Sequence, residues 1–284
     1  LYPHLIMQYN ISPEKIIGVK SNGINVDKLL NHSTPLTHLQ TEGATITPNG
    51  AMFKTDNQGF LPEIMEKMYG DRVVYKKKMM IAKTEYNKTK DPQLLKEISR
   101  CHNIQYSKKI GLNSAYGAVG NQYFRYYDVR QASAITSAGQ FVIRYVEQSV
   151  NKFMNDILKT HDKIDYIVAS DTDSIYLTLD KLVEKFCKDK TKEQIINFID
   201  KVVDGKIEPF IEKCFKEVAE YTNAFQQKMV MKREVIADKG IWTAKKRYIL
   251  NVLDEEGIRL DDPKLKIMGI EAVKSSTPEV CRGK

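Results

Sequence analysis

Two aspartates that stand two residues apart, Asp171 and Asp173, are the strongest candidates for chemistry in the chain. They follow the apolar run Tyr166-Ile-Val-Ala and precede Ile175-Tyr-Leu, which predicts a buried strand or hairpin. If the strand continues through both aspartates, both carboxylates leave the same face of the sheet. Neighbouring carboxylates repel each other, and a divalent cation is the usual remedy. The pair predicts a metal site, although a solvated turn and the Asp-x-Asp of sugar-nucleotide transferases fit the same three residues.

Three cationic side chains could form a clamp for a triphosphate. Arg72 and Lys76 are four residues apart in a predicted helix and therefore share one face. Lys109 lies in the next predicted helix, which returns antiparallel to the first after a break at Asp91-Pro92. Two helices that present these cations toward a common groove would bind a polyanion. The alternative is that the same charges form only a solvated basic face on a surface hairpin.

The second helix of this predicted hairpin adds a polar and an aromatic position to the same stripe. Asn113, Tyr116 and Gly117 follow Lys109 at helical spacing. Asn113 could position a polar ligand. Tyr116 offers an aromatic face beside a residue without Cβ, which suits a base pair that packs closely against the helix.

The elements that must position these residues form an α+β domain with an inserted helical hairpin. Residues 22–61 are rich in Gly, Asn, Thr and Pro, and they predict short strands and turns. Residues 62–88 and 92–119 predict the two long helices of the hairpin, and a third helix is predicted from Arg130 to Leu158.

The last third of the chain returns to short elements. Thr191-Lys-Glu-Gln194 resembles a capping box, and the apolar residues at helical spacing after it are predicted to be core. These residues are Ile195, Phe198, Ile199, Val202 and Val203. Alternating residues beyond Met229 predict strands, with a turn at Asp254-Glu-Glu-Gly257.

Composition favours a polyanionic partner. The chain has 44 Lys and Arg against 36 Asp and Glu, a formal net charge of +8 and a pI near 9.0. The four cysteines show no zinc-site spacing and are interpreted as reduced cytosolic thiols. No apolar run approaches the roughly 20 residues that cross a bilayer, so no membrane partner is expected.

Four motifs together resemble the family B DNA polymerases. Lys109-x-x-x-Asn113-Ser114-x-Tyr116-Gly117 resembles the fingers motif of that family. Tyr166-Ile-Val-Ala-Ser-Asp171-Thr-Asp173-Ser174 is similar to the second palm motif, and Lys245-Lys246-Arg247-Tyr248 to the Lys-Lys-x-Tyr motif. Leu1-Tyr2-Pro3 looks like the end of the first palm motif. All four occur in the order that the family has.

Three further segments look most like the T-even bacteriophage branch of the family: Asn10-Ile-Ser-Pro13, Phe124-Arg-Tyr-Tyr-Asp128 and Lys274-Ser-Ser-Thr-Pro278. The resemblance implies a palm that is an antiparallel sheet with packed helices, in residues 1–61 and 122–270. It implies that residues 62–121 are the fingers hairpin and residues 271–284 the start of the thumb.

The resemblance implies template-directed addition of deoxynucleotides to a primer, with primer-template DNA and deoxynucleoside triphosphates as partners. Asp173 would bind two Mg²⁺ ions, or Mn²⁺, and Asp171 would be a secondary carboxylate beside the primer end. The residues implied to bind the nucleotide are Leu1, Tyr2, Arg72, Lys76, Lys109, Asn113 and Tyr116. Those implied to contact DNA are Gly117, Lys246, Tyr248 and Lys274. Among the nucleotide-binding residues, Tyr2 would be the ribose gate. Glu234 would be an acidic neighbour of the site.

The sequence departs from the family pattern at three points. His4 stands where the family usually has Ser, Lys232 stands where the phage enzymes tend to have Asp, and the loop between Ile236 and Lys245 is short. The first palm carboxylate is expected four positions before Leu1, and the exonuclease segment and most of the thumb are also expected outside the chain. These segments and a sliding clamp are the further partners implied. The chain alone is therefore predicted to be inactive, and the alternative is a non-catalytic primer-template-binding piece of a split or decayed polymerase.

Overall fold

The computed structural model describes residues 1–19, 23–161 and 164–282, and it divides the chain into two compact units. The first unit comprises Leu1–Phe153, Thr172–Ile175 and Glu212–Val230. The second unit comprises Met154–Asp171, Tyr176–Ile211 and Met231–Lys284. Each unit mixes helices with an antiparallel sheet, so the α+β prediction is confirmed.

The first unit begins with a short helix and a three-stranded sheet. Its elements are α1 (Tyr2–Gln8), β1 (Ile16–Val19), α2 (Val26–Leu30), α3 (His38–Glu42), β2 (Ala44–Ile46) and β3 (Ala51–Lys54). β3 is the central strand and pairs antiparallel with β1 and β2. The turn between β2 and β3 ends at Gly50, whose φ of 82° is the left-handed conformation that glycine adopts at no steric cost.

Two long helices, α4 (Phe60–Thr89) and α5 (Pro92–Val119), form the predicted antiparallel hairpin. The tip lies where the sequence placed it, because Pro92 cannot continue α4 and Asp91 caps α5 by accepting a hydrogen bond from the Gln93 backbone N–H at 2.9 Å. Lys108 pairs with Asp71 at 2.7 Å and fixes the register of the two helices.

Two helices then continue the chain, α6 (Val129–Leu158) and, later, α9 (Glu208–Tyr221). In the first unit the Tyr145 hydroxyl donates to Glu217 at 2.9 Å and joins α6 to α9. α6 also passes close to α1, since a Cβ built at Gly139 would lie 3.4 Å from the Leu1 side chain. The core of this unit includes Tyr9, Phe53 and Phe141, all of which are completely buried.

The predicted hairpin around the aspartate pair is present as β4 (Ile167–Asp171) and β5 (Ser174–Leu177). Two details of the prediction are wrong. Thr172 has a φ of 54° and the strand ends at Asp171, so strand alternation does not extend to Asp173. Tyr166 is buried, but the strand residues themselves are half-buried or exposed, so the hairpin is not a buried one.

The second unit contains α7 (Asp180–Phe186), α8 (Lys192–Val202) and a π-helical turn (Val203–Ile207) before α9. The capping box is confirmed, because the Thr191 hydroxyl and the Gln194 side chain each accept the other residue's backbone N–H. The predicted core positions after it are only half-buried. The buried residue of α8 is Ile196, which packs with Ile236 and Leu253.

A meander of three antiparallel strands completes the second unit: β6 (Val235–Ala244), β7 (Arg247–Glu255) and β8 (Ile258–Met268). The predicted loop between Ile236 and Lys245 is wrong, because this segment is strand β6. The predicted turn at Asp254 is also displaced, because β7 continues to Glu255.

The last described elements are a 3₁₀ turn (Glu271–Val273) and α10 (Glu279–Arg282). Residues 283 and 284 of the predicted thumb segment lie outside the described residues. Among the described helices, none is long and apolar enough to cross a membrane.

A buried ion-pair network explains why Asp254 lies in a strand instead of a turn. Its side chain is fully buried and pairs with both Arg233 and Arg259. Asp200 of α8 completes the network, at 2.7 Å from Arg233 and 3.2 Å from Arg259. Two arginines and two aspartates thus neutralise each other between α8 and the sheet, which offsets the cost of burying the charges.

We expect Asp254→Asn to destabilise the second unit by roughly 3 kcal/mol, because it leaves buried arginine charge without its partner. Burial alone raises the pKa of Asp254, but the hydrogen bond and positive charge of Arg233 outweigh burial and hold the pKa below its ordinary value. A depressed pKa stabilises the fold above the carboxyl's unfolded pKa of about 3.9, and this contribution is lost as the pH falls through the folded pKa.

Urea unfolding of the wild type and of Asp254→Asn between pH 7 and pH 3 measures this effect. The difference in the free energy of unfolding between the two proteins should be constant down to about pH 5 and should shrink below about pH 4. Asp262→Asn, at an exposed position of β8, is the control and should behave like the wild type. A difference that is independent of pH would show that Asp254 acts through packing and not through its charge.

Candidate active site

The start of helix α1 lies beside Asp173. The backbone nitrogen of Leu1 is 3.9 Å from Asp173 Oδ2, and both residues belong to the first unit. The left-handed Thr172 and the end of β4 place Asp173 in a turn, where its side chain is 60% exposed. The carboxylate is therefore held next to a helix start and remains open to a ligand from solvent.

Tyr2 brings the α4–α5 hairpin to the same place. Its ring packs on the ring of Tyr116 in α5, with centroids 4.6 Å apart and planes inclined by 38°. Both residues are half-buried. Residues that are more than a hundred positions apart thus form one aromatic pair, next to the helix start that meets Asp173.

The cations of the hairpin lie at neighbouring levels of α4 and α5. The Asp71–Lys108 pair places Arg72, the next residue of α4, level with the segment of α5 that carries Lys109. Lys76 lies one turn further toward the tip. The Nε of Arg72 is buried, and within the described part of the chain it has no hydrogen-bond partner. An anionic ligand would supply one.

Gly117 leaves an opening on the hairpin next to Tyr116. A Cβ built at this position would meet no described atom within 4 Å. Packing within the described protein therefore does not account for the glycine, although glycine costs about 1 kcal/mol in a helix relative to alanine. Asn113 lies one turn earlier and is exposed.

The second unit holds the remaining predicted site residues. Lys246, in the two-residue turn between β6 and β7, has a φ of 63°, and its ammonium lies 3.5 Å from Asp171 Oδ1. Tyr248 is 9% exposed and packs on Tyr176 with ring centroids 5.2 Å apart. Burial, the hydrogen bond with Tyr176 and the nearby negative charges raise the pKa of Tyr248, which therefore stays protonated.

Two predicted residues are engaged in surface ion pairs of the second unit. Glu234 pairs with Lys266 at 2.7 Å, and Lys274 pairs with Glu271 at 3.2 Å. Glu271 also accepts from Arg247 at 2.9 Å. These contacts are exposed and each contributes little to stability, so Glu234 and Lys274 can exchange partners when a ligand binds.

The carboxylates have the donor chemistry for Mg²⁺, which binds through oxygen ligands. Within residues 1–19, 23–161 and 164–282, no cluster of three or more His, Cys, Asp or Glu side chains could hold a metal. Mg²⁺ is usually bound by one or two protein carboxylates together with substrate phosphates and water. Asp173, whose side chain is 60% exposed, fits this mode.

The sequence analysis used the aromatic and basic loop between α5 and α6 only as a sign of family resemblance and gave it no functional role. Tyr123 is 88% exposed, Arg125 lies over the ring of Tyr126 at 5.6 Å, and Tyr126 also contacts Phe60 at 5.2 Å. The signal was present as four aromatic residues and one arginine within five positions. Exposed rings of this kind are surfaces on which nucleic-acid bases can stack.

The sequence also matches a known protein family and several known proteins. The sequence profile of DNA polymerase family B matches residues 1–218. The DNA-directed DNA polymerase of Escherichia phage RB69 is 34% identical over an alignment of 330 positions, which covers 98% of this chain and 36% of the phage protein. That of Enterobacteria phage T4 is 33% identical with the same coverage. A DNA polymerase beta of African swine fever virus is 28% identical over 188 residues, which cover 63% of this chain and 14% of that protein.

The chain therefore spans 36% of the length of the two phage relatives. The family match includes Leu1–Pro3, the α4–α5 hairpin and the aspartate pair, and it ends within α9. A sugar-nucleotide transferase, which the Asp-x-Asp pattern alone left open, does not account for this match.

Proposed function

Since the chain belongs to DNA polymerase family B, we propose that it forms the nucleotide-binding and primer-binding part of a DNA-directed DNA polymerase. One observation carries the proposal: three separate motifs meet in the first unit. Leu1 lies beside Asp173, and Tyr2 packs on Tyr116. Each motif by itself could be an ordinary structural feature, such as a solvated turn or a solvated basic face. Together they bring a carboxylate, an aromatic pair and the cationic hairpin to one place.

In this proposal the α4–α5 hairpin is the fingers domain, and the three sheets with their helices are the palm. The predicted fingers boundaries, residues 62–121, enclose nearly the whole hairpin, whose helices span Phe60–Thr89 and Pro92–Val119. The segment after β8 is proposed as the start of the thumb. The hairpin is held to the rest of the first unit mainly at its base, as a domain that closes on a ligand requires.

The reaction proposed is attack of a primer 3′ oxygen on the α-phosphorus of a deoxynucleotide, with pyrophosphate as the leaving group. Two divalent cations, when bound, would stabilise the attacking and leaving oxygens, as in the two-metal arrangement known for polymerases. Asp173 would hold them, with Asp171 as the secondary carboxylate. The protein contributes position and charge, and little covalent chemistry falls to it.

The hairpin would hold the nucleotide through its cationic and aromatic side chains. Arg72, Lys76 and Lys109 would neutralise the triphosphate, and the buried Nε of Arg72 would gain the hydrogen-bond partner that it lacks. Asn113 would brace the nucleotide, and Tyr116 would flank the new base pair. The space at Gly117 would admit that pair close to the helix.

The second unit would hold the primer terminus. Lys246 and Tyr248, and with them Lys274, would contact the minor groove, where the acceptor positions are shared by all correct pairs. The Lys246–Asp171 contact at 3.5 Å links this function to the aspartate pair. Tyr248 is 9% exposed, so only a small part of its side chain is open to this contact.

We expect the chain to bind primer-template DNA more tightly when the next complementary deoxynucleotide and Mg²⁺ are present. Fluorescence anisotropy with a labelled primer-template measures this directly. DNA affinity should fall at least about tenfold between 50 and 200 mM salt, because phosphate contacts release counterions. Lys109→Ala should weaken the effect of the nucleotide, whereas Lys96→Ala, at an exposed position near the tip of the same helix, should not.

Three other results would change the interpretation. Tight, salt-dependent DNA binding that ignores the nucleotide would favour a non-catalytic primer-template-binding piece. If a mismatched nucleotide strengthens DNA binding as much as the correct one does, the chain does not select the nucleotide by the template base. Binding that is flat with salt would overturn the DNA-binding proposal.

A further inference from the structure

Helix α1 contacts both helices of the hairpin through alternate residues. Tyr2 packs on Tyr116 of α5, and His4 packs on Tyr69 of α4. The centroid distance is 4.6 Å in both pairs, and the His4 and Tyr69 rings meet edge to face at 80°. The base of the hairpin is thus joined to α1 by one aromatic contact on each helix.

Tyr69 lies on the face of α4 that carries the candidate phosphate ligands. Arg72 is three residues further along the helix and Lys76 is seven, and both spacings return to the same face. Three residues of a helix span about 4.5 Å along its axis. A contact that fixes Tyr69 therefore also fixes the height and rotation at which Arg72 is presented.

The first turns of α4 have other anchors, but these lie before Tyr69. The backbone N–H of Phe60 donates to Glu14 at 2.7 Å, and Lys228 pairs with Glu66 at 2.6 Å. Glu66 also accepts from Gln58 at 2.8 Å. These contacts hold the start of the helix, and His4 adds a contact one turn closer to Arg72.

The charge state of His4 suits this contact. Burial lowers the pKa of His4 to about 4, and the positive charges of Lys228 and Arg72 act in the same direction. The ring is therefore neutral at physiological pH. A neutral ring can pack on Tyr69 without placing a further positive charge beside Arg72.

From this geometry we propose that His4 is a positioning residue for the incoming nucleotide. Its ring holds Tyr69, and with it the base of α4, against α1, so that Arg72 and Lys76 stand at a set distance from Tyr2. The sugar would be bounded by α1 and the triphosphate by α4, and the His4–Tyr69 contact would set the spacing between these two surfaces. The inference rests on the proposed function, because it assigns a spacing role within the same nucleotide site.

The primer-template anisotropy assay tests the proposal on the chain itself, with the next complementary deoxynucleotide and Mg²⁺ as the probe. We expect His4→Ala to raise the nucleotide concentration for half-maximal complex by about tenfold, while affinity for DNA alone changes by less than about twofold. His4→Phe keeps a neutral ring at the contact and should recover most of the loss. Tyr69→Ala should match His4→Ala, and the double variant should be little worse than either single one.

His102→Ala is the matched control. His102 also forms an aromatic pair within the hairpin, stacked on Tyr106 at 5.8 Å, but it lies nearly four turns from Tyr116 toward the tip. This variant should bind the nucleotide like the wild type. Thermal unfolding followed by circular dichroism separates a loss of folding from a loss of positioning.

Three results would overturn the proposal while leaving the proposed function intact. The first is an unchanged nucleotide requirement in His4→Ala while Lys109→Ala raises it. The second is a His4→Phe variant that binds the nucleotide no better than His4→Ala. The third is a parallel loss of DNA affinity in both variants, which would show a merely structural role. A wild-type chain without any nucleotide-dependent complex would overturn both the proposed function and this inference.

Discussion

Asp173→Asn should abolish nearly all nucleotide incorporation while leaving DNA binding intact. The substitution removes one negative charge and changes no volume, and the side chain is 60% exposed, so the fold has little to lose. The charge stabilisation that a metal-binding carboxylate supports amounts to several kcal/mol, and each 1.4 kcal/mol is about tenfold in rate. We therefore expect the rate to fall by at least about 100-fold.

Single-turnover incorporation measures this in a polymerase that carries the chain together with the remaining segments of its phage relatives. Asp156→Asn, at an exposed position of α6, is the control and should retain full activity. The affinity of Asp173→Asn for primer-template should stay within about twofold of the wild type, since the phosphate contacts are unchanged. If incorporation by Asp173→Asn stays within about tenfold of the wild type, Asp173 is not the shared metal ligand.

The long elements could be predicted from the sequence because their signals are local. The composition of residues 62–119 favours helix throughout, and Asp91-Pro92 is both a break and a cap, so the hairpin and its tip were found within two residues. The capping box at Thr191 was found for the same reason, because its two hydrogen bonds join residues three apart. Propensity and capping suffice when the partners lie within one turn.

The misread elements depend on distant partners. Asp254 looked like a turn residue because it precedes Glu-Glu-Gly, yet its burial is made possible by Arg233 and Arg259 from other segments. The sequence analysis described the segment between Ile236 and Lys245 as a short loop, whereas pairing with β7 makes it strand β6. The positive φ of Thr172 ends the side-chain alternation of β4 before Asp173, and no pattern in the sequence predicted this conformation.

In the candidate site, too, local spacing could be read from the sequence, whereas contacts between distant segments could not. The spacing of Arg72, Lys76 and Lys109 indicated a shared cationic surface before any fold was known. The proximity of Tyr2 to Tyr116 and of Leu1 to Asp173 could not be read from spacing, because it joins segments more than a hundred residues apart. Only the resemblance to a family brought these residues together in advance, and the pairing of His4 with Tyr69 was not part of it.

In the proposed nucleotide site, Tyr2 is the residue expected to exclude a 2′-hydroxyl. Its half-buried ring starts α1 and is supported from one side by Tyr116 at 4.6 Å. A supported ring cannot easily move aside, so a ligand sugar that packs against it would have no space for an additional hydroxyl. The 2′-hydroxyl is the group by which a protein separates RNA precursors from DNA precursors.

Tyr2→Ala should therefore raise the use of ribonucleotides relative to deoxynucleotides by about 100-fold or more, since relief of a few kcal/mol of steric clash is worth that factor. Tyr2→Phe is the matched variant, because it removes only the hydroxyl and keeps the ring on Tyr116. It should discriminate like the wild type. Single-nucleotide incorporation of a matched ribonucleotide and deoxynucleotide pair, measured in the polymerase that carries the chain together with the remaining segments, gives the ratio directly.

The competing explanation is that Tyr2 only packs the base of the hairpin. Removal of the ring would then disturb Tyr116 and depress incorporation of both nucleotides alike, at a packing cost of roughly 3 kcal/mol. The ratio separates the two explanations even if the variant is less stable, because a packing defect affects numerator and denominator equally. An unchanged ratio in Tyr2→Ala would remove Tyr2 from the nucleotide site, whereas a raised ratio that Tyr2→Phe does not share would assign the discrimination to the aromatic ring.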